Sequence, residues 1–227
     1  MSPMVPRTVS WRRDPRSGLL VIACGIAGVS FVVLTAAVLQ LPAFLSFDAR
    51  ISELIRGISL PGLESVARFF TTLGSFPVLG ALTLATSVYL YLRGRRAEAL
   101  LLLVTVPLGA LLGEGMKLVI HRVRPALEFA RIAIPGTYGF PSGHALSATT
   151  FFGTLGFVAL IGERRLRRSV VIVATCTAAA LLVGLSRVYL GVHFMGDVVG
   201  GWLLGAAWVT LMILLGATWG AGIPEND

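Results

Sequence analysis

The chain has 227 residues, of which 56% are hydrophobic and only 13% charged. Charged residues make up about a quarter of a soluble domain, so this composition excludes an ordinary soluble protein and describes one embedded in a bilayer. The net charge of +8 does not argue for a nucleic acid partner, because the basic residues sit in short clusters between apolar runs, the pattern that orients membrane proteins.

Residues 1–17 are polar and carry Arg7, Arg12, Arg13 and Arg16. The apolar run Gly18–Gln40 that follows is about twice as long as a secretory signal core and has no clean small-residue cleavage site, so it is expected to stay as a first span. Pro42–Leu73 mixes apolar residues with Asp48, Arg50, Glu53, Arg56, Glu64 and Arg68 at amphipathic spacing. That pattern predicts a helix on the membrane surface, a connector covering the bundle rather than a source of chemistry. Further spans are predicted at about Ser75–Leu92, Ala97–Met116, Gly143–Ile161, Ser169–Leu185 and Phe194–Leu215. The expected fold is all-α: an integral membrane bundle of six transmembrane helices with a surface amphipathic helix between the first two spans. Its expected organisation is a cytoplasmic N-terminal tail over 1–17, a six-span domain over 18–217 and a C-terminal tail over 218–227 that holds Glu225 and Asp227. Cys24 and Cys176 lie inside apolar runs, so no disulfide framework is implied.

Short basic loops stay on the cytoplasmic side. With the N-terminus inside, the inner loops hold Arg93, Arg95 and Arg96, then Arg164, Arg165, Arg167 and Arg168. The end of the third span, the start of the fourth and the link between the fifth and sixth then face the outside of the cell (inner) membrane. Ionisable residues gather at those three places.

In the first gathering, Lys117-Leu-Val-Ile-His-Arg-Val-Arg124-Pro125, Lys117 and Arg124 are spaced to share one helical face before Pro125 redirects the chain. Two cations on one face repel unless they share an anion, which points to an anion site; a basic cap on a span end is the alternative. In the second, Pro141-Ser142-Gly143-His144 precedes the fourth apolar run. A Ser or Gly at a helix start leaves amide hydrogens free to bind phosphate, and His144 is placed to donate a proton; alone, these residues also describe an ordinary N-cap. The third, Ser186 to Asp197, contains Arg187, His193 and Asp197. His193 and Asp197 are spaced to meet on a helix, as an orienting carboxylate meets a nucleophilic imidazole, and Arg187 offers a planar fork for an oxyanion. A snorkelling Arg with a His and an Asp on a wet helix end is the competing reading.

Taken together, Lys-x6-Arg-Pro, Pro-Ser-Gly-His and Ser-Arg-x5-His-x3-Asp resemble the signature of the type 2 phosphatidic acid phosphatase superfamily, with every position matched. The resemblance implies phosphate binding by Lys117, Arg124, Ser142, Gly143 and Arg187. It also implies a phosphohistidine on His193, with Asp197 fixing its tautomer and His144 protonating the leaving oxygen and then activating water. Glu114 and Ser186 are expected to support these groups, Glu114 by pairing with Lys117 or by lining the cavity, with pairing preferred. Neither metal nor cofactor is implied, since the cations supply the charge stabilisation. The implied partner is a lipid phosphate in the outer leaflet, such as a polyprenyl diphosphate like undecaprenyl diphosphate, phosphatidylglycerol phosphate or phosphatidic acid. Compact loops and a short N-terminal tail favour the first two. A lipid phosphotransferase would share every motif, and a non-catalytic lipid-phosphate transporter would need only the cations. Of the remaining residues, Gly109, Gly113, Gly196, Gly200, Gly201 and Gly205 are expected to seat helices closely. His121 reads as interfacial, and Tyr138 and Phe140 as either entrance or aromatic-belt residues.

Overall fold

Hydrocarbon offers no partner to backbone N–H and C=O groups, and the chain satisfies them within helices. A computed structural model describes residues 16–133, 136, 138–161, 163 and 165–219. Of the expected tails, Arg16 and Ser17 belong to α1 and Thr218 and Trp219 to α8, and the rest lies outside the described residues, as does Arg164. The helices are α1 (Arg16–Gln40), α2 (Pro42–Arg56), α3 (Leu63–Leu73), α4 (Phe76–Leu92), α5 (Arg96–Ile120), α6 (Gly143–Leu160), α7 (Leu166–Tyr189) and α8 (Met195–Trp219). Among the described residues, β pairing is confined to an isolated antiparallel bridge between Val123 and Tyr138.

Five helices, α1 and α5 to α8, are long and apolar enough to cross a bilayer. α3 and α4 qualify only as a pair, bent by 54°, and counting that pair as one span gives six. The stretch Pro42–Leu73 is therefore two helices rather than one. Pro61 and the left-handed Gly62 (φ 79°) break it, and α3 leads directly into α4. Ser75 is extended at the bend, and Pro77 sits in the first turn of α4, where its missing N–H costs nothing.

α8 packs against α1, α5, α6 and α7, and α6 sits among α5, α7 and α8. The main core cluster joins Leu79, Leu102, Val106, Ala148, Phe151, Ala180 and Val183. Outward faces stay apolar, as with Val29, Val32 and Val33 on α1, because lipid rather than water meets them. Four of the small residues do seat α6: an added Cβ on Gly109 or Gly113 would press Thr150 or Leu146, and one on Gly201 or Gly205 would press Ala145 or Thr149. The other two serve different neighbours, Gly196 facing Asp48 and Gly200 facing Phe140.

Chain direction puts the C-terminal ends of α5 and α7 and the N-terminal ends of α4, α6 and α8 at one end of the bundle. The arginine-rich connections after α4 and α6 lie at the other. Gly205→Ala, whose Cβ would lie 2.7 Å from Thr149 Cβ, is expected to cost about 1–3 kcal/mol. Gly28→Ala in α1 meets nothing within 4 Å and is expected to leave stability unchanged or slightly raised. Thermal unfolding of the two variants in detergent checks the contrast.

Candidate active site

Three chain breaks bring the motifs to the same end of the bundle. α5 stops at Ile120 because His121 adopts a left-handed conformation (φ 53°), and the following residues pair elsewhere. The Gly139 N–H donates to Arg122 O at 2.7 Å, Val123 bridges Tyr138, and Pro125 disfavours a helical Arg124. The expectation that Lys117 and Arg124 share a helical face is thereby corrected: Lys117 comes from the last turn of α5 and Arg124 from the loop. α6 begins at Gly143 behind an extended Ser142, whose N–H donates to Asp197 O at 2.9 Å. α7 runs past Leu185 to Tyr189, so Arg187 projects from its last turn rather than from the link. The chain then turns at Gly191 (φ 76°), where a Cβ would collide with the Phe129 carbonyl, and α8 starts two residues after His193.

Lys117, Arg124, Gly143, His144, Arg187 and His193 line one cavity of about 400 Å³, with Glu114 and Tyr138 beside them. Lys117 Nζ donates to Glu114 Oε1 at 2.6 Å. A side chain at Gly143 would come within 3.3 Å of the same Nζ. Arg187 Nη1 donates to Thr71 Oγ1 on α3. Arg124 Nη1 donates to Val192 O and to His193 Nε2, both at 2.9 Å. A guanidinium only donates, so Nε2 carries the lone pair and the ring proton resides on Nδ1, 3.3 Å from Asp197 Oδ2. Asp197 is fully buried, with Oδ2 also accepting from the Phe194 N–H at 3.0 Å and Oδ1 from Arg122 Nη1 at 2.7 Å.

Burial, then the nearby Arg124, Arg187 and Lys117, hold the His193 imidazole well below the ordinary histidine range. Its neutral form is the one favoured. Arg124 Nε and Arg187 Nε are buried without a protein acceptor, and such donors are expensive to leave unmatched. The guanidinium and ammonium groups that line the cavity suit a tetrahedral oxyanion held opposite a neutral imidazole. Among the described residues, no three His, Cys, Asp or Glu side chains cluster as metal ligands would.

Two of the motif serines do not line this cavity. Ser142 is fully buried with its Oγ lacking a protein partner, and Ser186 Oγ donates to Val183 O at 2.6 Å within α7. Phe140 is no entrance residue: it is buried in the core and stacked on Phe31 at 5.8 Å. Tyr138 does line the cavity, with the exposed His121 edge-on against it at 4.6 Å.

Three further polar residues reach the site without belonging to any motif: Thr71, Asp48 and Arg122. Arg122 Nη2 donates to Asp48 Oδ2 at 2.6 Å while its Nη1 holds Asp197. The reading of Pro42–Leu73 as a mere cover is therefore incomplete, since α2 and α3 each supply a side chain to this network. The readable signal was Asp48 itself. It falls one helical turn from Phe44 and from Ser52 on the buried stripe of an amphipathic helix, where a carboxylate needs a partner.

A second, apolar groove of about 110 Å³ runs between α4 and α5, lined by Leu79, Gly80, Leu84, Leu103, Val106 and Pro107. It shares Phe76, Ala110 and Ser147 with the cationic cavity.

The PAP2 superfamily model matches residues 98–220. Phosphatidylglycerophosphatase B of Bacillus subtilis (strain 168) is 33% identical over 178 residues, covering 77% of this chain and 86% of the relative. Undecaprenyl-diphosphatase of Sulfolobus acidocaldarius is 33% identical over 132 residues, covering 56% of this chain and 59% of the relative. Among solved structures, the transmembrane PAP2-type phosphatidylglycerolphosphate phosphatase from Bacillus subtilis superposes with a TM-score of 0.77 at 28% identity, covering 90% of this chain and 99% of that one. Aquifex aeolicus LpxE gives 0.59 at 27% identity, covering 73% and 93%. The matched region runs from α5 through α8 and holds every cavity-lining residue except Gly74 and Phe76, and the chain belongs to the PAP2 superfamily.

Proposed function

We propose that this multi-pass membrane protein hydrolyses the terminal phosphate of a lipid phosphate or diphosphate through a phosphohistidine on His193. The observation that carries the reading is the neutral His193 Nε2 lone pair facing a cavity ringed by Lys117, Arg124 and Arg187. In the proposed cycle the phosphoryl oxygens take the N–H donors of Arg124, Arg187, Lys117 and the amides at the start of α6. Arg124 passes its N–H from Nε2 to the phosphoryl oxygens, Nε2 then attacks phosphorus as the bond to the lipid oxygen breaks, and His144 gives that oxygen its proton. Asp197 stabilises the positive charge that develops on the imidazole. His144 then takes a proton from water, whose oxygen displaces the histidine nitrogen, and phosphate leaves with the enzyme restored. Three fixed cations supply the charge compensation that a metal gives other phosphoryl-transfer sites, so the proposed reaction is metal-independent. Binding alone would use the cations but not an imidazole with its tautomer held, which is why hydrolysis is preferred to transport.

The apolar groove between α4 and α5 suits the hydrocarbon chain of such a substrate, leaving its head group in the cationic cavity. The relatives act on phosphatidylglycerol phosphate and undecaprenyl diphosphate by name, and these two lipids are the proposed substrate classes, with phosphatidic acid behind them. The arginine-rich connections at the opposite end of the bundle favour an extracytoplasmic site in the inner membrane and a substrate drawn from the outer leaflet. Purified protein assayed for phosphate release against a panel of these lipids decides the substrate.

His193→Ala is expected to lower phosphate release at least ~10³-fold while the thermal midpoint stays near the parent value. Ordinary turnover by the folded variant would end the mechanism. Activity is expected to persist undiminished in chelator without added metal. The depressed proton affinity of His193 keeps the nucleophile neutral at neutral pH and lets it protonate only in acid. The acid limb of kcat/KM is therefore expected below about 6.5, the ordinary histidine value.

A further inference from the structure

The nucleophile's orientation rests on a chain of buried contacts that leaves the cavity and ends on α2. Asp197 has two oxygens, and both are committed. Oδ2 faces His193 Nδ1 and the Phe194 N–H, and Oδ1 accepts from Arg122. Among the described residues, the Arg122 contact is the one hydrogen bond joining this carboxylate to a side chain outside its own turn, and Arg122 is itself held from a third side. Its Nη2 donates to Asp48 Oδ2, and its guanidinium lies 4.8 Å over the Phe194 ring. Asp48 in turn accepts the Gly196 N–H at 2.7 Å through Oδ1, and Ser52 Oγ, one turn on, accepts the Met195 N–H at 2.8 Å. Glycine at 196 permits that approach, because a Cβ there would stand 2.6 Å from Asp48 Oδ2. Neither Asp48 nor Arg122 lines the cavity.

We propose that Asp48 and Arg122 are positioning residues: Arg122 fixes the Asp197 carboxylate in the plane that holds the His193 proton on Nδ1, and Asp48 anchors Arg122 and the first turn of α8. The inference rests on the reading of His193 as nucleophile. The carboxylate contacts of the relay are charge-assisted and largely buried, so a displacement at one is felt at the next. A planar fork reaching two carboxylates at once is a task that Lys performs only in part.

The test compares Arg122→Gln, Arg122→Lys and Asp48→Asn with the parent, using the lipid phosphate on which the parent is most active. Arg122→Gln is expected to lower kcat about tenfold or more with KM changed by less than about threefold, since Lys117, Arg124 and Arg187 still hold the phosphate. Arg122→Lys is expected to recover part of the loss, and Asp48→Asn to lose kcat several-fold. The second readout is independent of turnover: the imidazole ¹⁵N resonances of His193, assigned through His193→Gln. Because Arg124 still donates to Nε2, the Nδ1-protonated tautomer is expected throughout, with the Nδ1 resonance of Arg122→Lys near the parental position and that of Arg122→Gln moved by the loosened Asp197 contact.

A folded Arg122→Gln variant with parental kcat and an unmoved Nδ1 resonance overturns the positioning role. So does a loss shared equally by kcat and 1/KM with the Nδ1 resonance unmoved, which describes structural damage alone. Should Arg122→Gln fail to fold, Asp48→Asn takes its place: lowered kcat with a moved Nδ1 resonance supports the role, and parental kcat with an unmoved one overturns it. An active His193→Ala variant defeats the nucleophile reading and this inference with it, whereas a dead His193→Ala beside an unaffected Arg122→Gln defeats this inference alone.

Discussion

Repulsion among Lys117, Arg124 and Arg187 is the constraint to which the surrounding structure responds. Three cations facing one cavity at the end of a hydrophobic bundle raise each other's energy, and low local polarity magnifies the effect. The chain answers with one carboxylate on the cavity wall and one behind it. Glu114 takes Lys117 from the rim, and Asp197 lies beneath the Arg124 and His193 pair with no exposure of its own. Lys117 is thus balanced by Glu114 at the wall, whereas Arg187 has a neutral hydroxyl, Thr71, as its partner and keeps its charge for an entering oxyanion.

The bilayer dictates where such a cavity can form. Spans must satisfy their own backbones, so polar chemistry is confined to helix ends and to the short segments between them. Every cationic or imidazole group of the cavity obeys that rule, coming from a last turn, a first turn or a loop. Glycines that let α6 sit tightly between α5 and α8 hold those ends in register. Packing in the middle of the bundle and chemistry at its end are thus one problem, since a shift of α6 along its neighbours would carry His144 and the α6 amides away from Lys117.

Fixed-spacing motifs were readable because each places its residues within a turn or two of one another. Lys117, Arg187, His193 and Asp197 could be named together for that reason. The route taken by Arg124 was not readable, since a regular helix and a left-handed stop at His121 place it equally well in a one-dimensional count. The bend between α3 and α4 left only partial traces in Gly74, Ser75 and Pro77. Arg122, Asp48 and Thr71 were invisible to motif reasoning because their partners lie far along the chain, on helices whose relative placement only the folded bundle defines. Phe140 misled for the opposite reason: an aromatic before a helix start reads as interfacial until Phe31 from α1 is found against it.

The bend at residues 74–75 joins two environments. Phe76, just beyond it, borders both the cationic cavity and the apolar groove between α4 and α5. For a substrate seated across both, the hydrocarbon tail never has to be extracted into water, a step that would cost about 0.8 kcal/mol per methylene, or about 8 kcal/mol for ten of them. A break in one helix thereby converts lateral diffusion in the plane of the membrane into access, so that encounter is governed by surface density of lipid rather than by its vanishing solubility.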